Sequence, residues 1–369
     1  MPELPEVERA AKLLRSLALN KRIQKVETTE DTIVFSGTTH DDFAAEITGR
    51  TVKEVGRYGK VFYLELDGEG KMPVFHFGMT GMLQIRGETP VHYREAGRPR
   101  KAATDWPPRF MKCILHIETE SDSPIEVAFL DARRLGRVRL CKSPLTEPPI
   151  SGMGFDPILS LPSVEDFKHG AVKRSCPVKA LLLDQSFSAG VGNWVADEIL
   201  YHARVHPEQR CNTLSDEQIA ALHAQTAEVC RTAVEVNADD AKFPEDWLFR
   251  HRWDKGKKKP KDYIPLKLPD GEPATIKWLT VGGRTSAYVH ELQRLPKTQK
   301  MGSEAEGEAS VQQDGDASDL TPLTESDTEV IVTTVRKRQR KAKPADTKRS
   351  VKRRRSSRNK GGADTDSGS

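Results

Sequence analysis

A proline-rich stretch, KSPLTEPPISGMGFDP (residues 142–157), separates two parts of the chain that follow different hydrophobic periods. Before it, KVFYLEL, MPVFHFGM, FMKCILHIE, IEVAFLD and RVRLCK alternate or run apolar over four to eight residues between Gly, Asp and Pro. Such short runs fold as strands of a sandwich or barrel. After it, SVEDFKHGAV, CPVKALLLDQ, NWVADEILYHARV and SDEQIAALHAQTAEVCRTAVEV repeat apolar residues at helical spacing. A helix also opens the chain, with Val7, Ala10, Ala11, Leu14 and Leu17 along one stripe. The ordered part closes on ATIKWLTVGGRTSAYV, two β-like runs joined at Gly282-Gly283, which reads as a hairpin. The fold class is therefore α+β. An N-terminal helix and β-sandwich occupy residues 2–142, a linker 143–162 and a helical domain 163–250. A basic loop and hairpin fill 251–295, and a tail runs over 296–369. A polar, basic loop is expected at 87–109, between two of the strands.

With 369 residues the chain has room for two cores. Its charge is unevenly placed. Residues 304–329 carry nine acids and no base, whereas 336–360 carry fourteen Lys and Arg against Asp346 alone. Blocks of like charge with few apolar residues predict a disordered tail. From residue 297 onward there are 16 bases and 12 acids, so the tail holds the net charge of +4 and the remainder balances. Any anion-binding surface on the folded part must come from where its bases lie. No run of eighteen apolar residues exists, so no membrane span is expected, and the acidic start is unlike a secretory signal. Cys113, Cys141, Cys176, Cys211 and Cys230 are scattered, as in reduced cytosolic or nuclear proteins. Without C-x-x-C pairs no structural zinc is expected, and Pro207 follows directly on the His202/His206 pair. Neither a metal nor a cofactor is implied.

Four motifs carry chemistry. The start MPELPEVE places Pro5 and acids in a first helical turn, which is good helix chemistry but leaves Pro2 unexplained. Met-Pro is a sequence from which methionine is usually trimmed, leaving a free secondary amine beside Glu3. In LLLDQSFSAGVGNWVADEIL, Gly190 and Gly192 precede a helix starting near Asn193, a natural phosphate site or an ordinary capped helix. In FLDARRLGRVRL, Asp131 and Gly136 bracket a turn expected to project arginines and an exposed Leu135, either a solvated edge or a wedge. Lys60 in RYGKVFYL interrupts an apolar strand, and Met79 lies in the glycine-relieved turn HFGMTGM. Each of these also reads as surface lysine or core methionine.

Taken together, PELPEVE, GK on a strand, HFGMTG, DARRLG, GVGNWVADE and GGRT occur in an order that resembles the formamidopyrimidine-DNA glycosylase family, across roughly residues 2–295. The resemblance implies a helix-two-turn-helix domain and, with FPEDWLF and GGRTSAYV lacking zinc cysteines, the plant and fungal branch with its zinc-less finger hairpin. It implies a bifunctional glycosylase and abasic-site lyase acting on oxidised purines in double-stranded DNA. Pro2 is then the nucleophile, Glu3 the general acid, and Lys60 holds a phosphate beside the lesion. Glu6 orders the helix start. Met79, Arg133 and Leu135 fill the gap left by the extruded base, His76 contacts DNA, and Asn193 and Arg284 grip phosphates. Leu135 stands where the family usually has Phe, which removes an aromatic surface from the wedge. A monomer is expected. The basic tail predicts a nuclear protein whose tail binds import receptors or repair proteins. The competing reading is a non-catalytic damaged-DNA-binding protein, and a chromatin-tail protein explains nothing in residues 1–295.

Overall fold

The computed structural model describes residues 2–88, 105–121, 123–256 and 263–296. The first helix, α1 (Leu4–Ala18), starts on a capping box in which Glu3 and Glu6 satisfy each other's backbone N–H groups. Two four-stranded antiparallel sheets follow. One has the order β1 (Ile23–Thr28), β6 (Met111–Ile117), β7 (Ile125–Leu130), β5 (Met82–Ile85). The other has the order β2 (Val52–Tyr58), β3 (Val61–Leu66), β4 (Met72–His76), β8 (Arg137–Cys141). Phe62 and Phe75 stack with ring centroids 4.9 Å apart, and Phe77 stacks on Phe129 at 5.7 Å, so aromatic pairs fill the space between the sheets. Val7, Ala10, Ala11 and Leu14 of α1 join this core.

The second core is helical. It collects α3 (Val164–Val172), α4 (Val178–Leu183), α5 (Asn193–His202) and α6 (Asp216–Glu235) around Leu182, Trp194, Ile199 and Leu222. Leu4 belongs to this core, not to the sandwich. The head of α1 is thus shared, with its first residue packed in one lobe and the rest of its stripe in the other. At the C-terminal end, β9 (Ile276–Val281) pairs with β10 (Arg284–Val289) through Gly282 and Gly283, at φ of +55° and +69°. Two positive φ angles are what a two-residue hairpin turn of this hand requires.

The structure departs from the sequence reading in several places. A helix, α2 (His40–Ile47), stands among the strands, capped by Thr39, whose hydroxyl accepts from Asp42 N at 3.0 Å. Lys60 does not interrupt a strand; with Gly59 it forms the turn between β2 and β3. Leu135 is half-buried, not exposed, because its backbone packs against Gly78. The expected disorder beyond residue 296 lies outside the described residues. So do 89–104 of the polar loop and 257–262 of the basic loop.

Candidate active site

The proposed chemistry centres on three residues at the head of α1. Pro2 is buried, and Glu3 and Glu6 are 3% and 5% exposed. Glu3 N donates to Glu6 Oε2 at 2.9 Å. The Glu3 carboxylate reaches the other lobe, where Oε1 accepts from Trp194 N at 3.0 Å and Oε2 from Val195 N at 3.1 Å. These are free N–H groups of the first turn of α5, where an anion is favoured by the helix dipole. Glu6 Oε1 accepts from Trp194 Nε1 at 3.0 Å. Burial, and then the neighbouring Glu3 charge, push the Glu6 carboxyl up to about 7. Glu6 therefore carries a proton for much of the time near neutral pH, one bond away from the Glu3 backbone.

The glycine loop makes this approach possible. A Cβ at Gly192 would lie 2.2 Å from Glu3 Cδ, and one at Gly190, where φ is +98°, would lie 2.8 Å from Leu4. Leu4 N donates to Gly190 O at 3.1 Å. Gln185 fixes the same loop, accepting from Gly190 N at 3.0 Å and donating to Val191 O at 2.9 Å. Lys60 enters from the sandwich and donates to Val191 O at 3.0 Å. It is 7% exposed, and burial lowers its pKa to about 8 despite the opposing pull of Glu3. Beneath it, buried Arg57 pairs with buried Asp156 and, at 2.6 Å, with Glu8. Asp156 also accepts from Gly59 N at 2.8 Å, so one ion pair fixes the Lys60 turn, α1 and the inter-lobe segment together.

A second group of residues sits on two turns joined by Asp131. Its Oδ1 accepts from Thr80 Oγ1 at 2.8 Å and Arg133 N at 3.1 Å, and its Oδ2 from Gly136 N at 2.6 Å. Met79, half-buried, is thereby set beside exposed Arg133 and half-buried Leu135. A Cβ on Gly78 would lie 2.3 Å from the Leu135 carbonyl, so the turns touch backbone to backbone. Arg134 turns away and pairs with Asp31 through Nε at 2.9 Å and Nη2 at 3.0 Å. Arg133 and Arg134 are both exposed on the turn, but Arg134 has its charge paired. His76 Nδ1 accepts from Gly78 N at 3.1 Å, and burial, with the charge of Lys60, lowers its pKa to about 4. The ring is neutral, with Nε2 carrying the proton as a donor.

Asn193 does not cap α5. Gly192 holds the cap position, Glu3 supplies the acceptor, and Asn193 Nδ2 donates to Thr285 O of β10 at 3.0 Å. Arg284 is exposed at the start of β10. The hairpin is held on α5 by Asp197, which is 1% exposed. This carboxylate pairs with buried Lys179, accepts from Arg252 Nη2 at 2.6 Å and from Ala287 N at 3.2 Å. His202 pairs with Glu198 at 3.1 Å, while His206 Nδ1 accepts from Glu208 N at 3.2 Å. Among the described residues no three His, Cys, Asp or Glu converge on a metal position. Sequence reasoning passed over Trp194, Asp156 and Asp197. The signal for Asp197 was an adjacent pair of acids, Asp197 and Glu198, inside the largely apolar run NWVADEILYH.

The N-terminal domain model of formamidopyrimidine-DNA glycosylase matches residues 1–138, and the H2TH domain model of the same enzyme matches 153–245. The chain is similar to the formamidopyrimidine-DNA glycosylase of Arabidopsis thaliana, 40% identical over 312 residues, 84% of this chain and 74% of that protein. The enzyme of the same name from Heliobacterium modesticaldum is 35% identical over 229 residues, 60% of this chain and 75% of its own. Among solved structures, a Lactococcus lactis Fpg in complex with abasic-site-containing DNA superposes with a TM-score of 0.61. That match has 22% identity and covers 79% of this chain and 99% of the other, a likeness of fold.

Proposed function

The chain belongs to the formamidopyrimidine-DNA glycosylase family, and on that footing we propose that it excises oxidised purines from duplex DNA through Pro2 and then cuts the strand. It is a DNA glycosylase of the formamidopyrimidine type, an enzyme of DNA repair. With methionine removed, Pro2 carries a free secondary amine, whose unprotonated form has the lone pair a nucleophile needs. The lone pair attacks C1′ of the extruded nucleotide, the C1′–N bond breaks, and the base leaves with its electron pair and takes a proton from water. The proton shed by the prolyl nitrogen passes to the Glu3 carboxylate and from it to O4′ as the C1′–O4′ bond opens, which leaves an iminium at C1′. That cation acidifies C2′–H. Loss of the C2′ proton expels the 3′ phosphate, and loss of a further sugar proton expels the 5′ phosphate.

The observation that carries this reading is the Glu3 carboxylate held on the first turn of α5 while its own N–H is held by Glu6. Lys60 has two ammonium hydrogens beyond its bond to Val191 O for a phosphate. Met79, Arg133 and Leu135 would fill the vacated stack, and His76, Asn193 and Arg284 would contact the backbone. Asn193 Nδ2 keeps one hydrogen beyond its bond to Thr285 O, which it can offer to a phosphate without losing that partner. Formamidopyrimidines and hydantoins are the proposed preferred lesions. The basic tail is proposed to direct the protein to the nucleus, in which case a chain ending at residue 296 loses nuclear accumulation.

Borohydride trapping on abasic duplex tests the central claim. A covalent complex is expected, with peptide mapping placing DNA on Pro2. Linkage at Lys60 would reassign the nucleophile, and no linkage at all would leave a damaged-DNA-binding protein without catalysis.

A further inference from the structure

Phe110 stands at the start of β6 with φ of +69°, in the left-handed region that bulky side chains rarely enter. Its ring is 44% exposed. The protein thus holds a large apolar side chain in a strained backbone conformation and buries little by doing so. Strain of this kind persists where surrounding contacts impose it, and it gathers at sites that bind or act. At its backbone, Phe110 O accepts from Asp131 N at 3.0 Å. Asp131 is the residue whose carboxylate organises the Met79 turn and the Arg133–Leu135 turn. The Arg109 guanidinium lies 4.5 Å from the Phe110 ring centroid. Arg134, whose φ is +58°, and Lys112 on the same strand both pair with Asp31 nearby. An exposed aromatic ring with a guanidinium against it, tied to the wedge turn, has the composition of a platform for nucleobases.

We propose that Phe110 stacks on an unpaired base of the damaged duplex, supplying beside the wedge the aromatic face that Leu135 does not provide. This rests on the DNA-glycosylase reading above. A stack on a base face is sequence-tolerant, so Phe110 would serve any partner base, while Arg133 with its donors discriminates among them.

The test uses the full chain and a duplex with a tetrahydrofuran abasic analogue opposite 2-aminopurine, whose fluorescence falls on stacking. Phe110→Leu keeps an apolar residue of similar size at the same backbone angle. It is expected to weaken binding about tenfold, the size of one lost base–aromatic stack, and to leave 2-aminopurine brighter in the complex. Phe110→Trp should restore both, and Leu135→Phe added to Phe110→Leu should restore them in part. The salt dependence of binding should stay unchanged, since no phosphate contact is lost. Wild-type behaviour of Phe110→Leu in both readouts would overturn the proposal. So would a loss that Phe110→Trp does not restore and that comes with a shallower salt slope, which would make the ring a prop for Arg109. Failure of the wild-type chain to bind or trap abasic DNA would instead remove the glycosylase reading itself.

Discussion

The carboxylate of Glu3 accepts from the backbone of Trp194, at 3.0 Å, and so caps a helix of the opposite lobe from 191 positions away. Catalytic placement and lobe docking therefore depend on the same side chain. Leu4, packed in the helical core, and Arg57, paired with Asp156 and Glu8, hold the junction on either side.

Gly192→Ala tests that arrangement without touching a reacting group. The added Cβ would lie 2.2 Å from Glu3 Cδ, so the carboxylate must move. Base excision is expected to fall by roughly 10²–10⁴, the range for a displaced general acid. Glu3→Gln should do the same, and both should spare cleavage of a pre-formed abasic site to a much larger degree, because such a site already offers Pro2 its ring-opened aldehyde and needs no proton at O4′. Single-turnover rates on lesion and abasic duplexes decide it. Equal losses on both substrates would place the role of Glu3 after ring opening.

Lys60 sets a pH signature. Burial lowers its pKa to about 8, below the ordinary 10.5. The unfolded chain then binds more protons than the folded one between those values, so stability contributed by this group rises with pH across that window. A phosphate beside Nζ favours the charged form. Near pH 9 the complex with abasic-analogue DNA should therefore take up as much as about one proton, and Lys60→Met should take up none. Calorimetry in two buffers of different ionisation heat measures it. The same uptake by Lys60→Met would exclude Lys60 as a phosphate ligand.

Asp197 performs the docking of the terminal hairpin. Asp197→Asn would leave Lys179, fully buried, and Arg252, 6% exposed, as neighbouring cations without a counter-charge. A loss of about 3–5 kcal/mol is expected in denaturant unfolding, as for a broken buried pair. Chelators should leave the unfolding midpoint of the wild-type chain unchanged. A midpoint lowered by chelation would mean that a metal shares the docking.

The wedge is expected to set lesion choice. Half-buried Leu135 offers less surface to a base stack than an aromatic would, which favours lesions that already weaken pairing. Ring-opened purines and hydantoins should be excised faster than 8-oxoguanine opposite cytosine in single-turnover assays on matched duplexes. Equal or faster removal of 8-oxoguanine would show that the wedge does not set the preference.

The local pattern of the sequence was enough to determine most of the elements and their turns. The stripe from Val7 to Leu14 forms one face of α1, Gly282-Gly283 turns the hairpin, and Asp131 with Gly136 brackets the wedge turn. These depend on period, backbone freedom and short-range hydrogen bonds, all of which lie within a few residues. The α2 helix escaped because eight residues give too short a period to stand out among strands. What only the tertiary structure decided is who meets whom. Nothing local to PELPEVE says that Glu3 will cap α5, that Leu4 will leave the sandwich for the helical core, or that Asp197 will hold Lys179 and Arg252. Those outcomes follow from burying charged groups between lobes, where each carboxylate must find its donors from whichever distant segment the packing brings within reach.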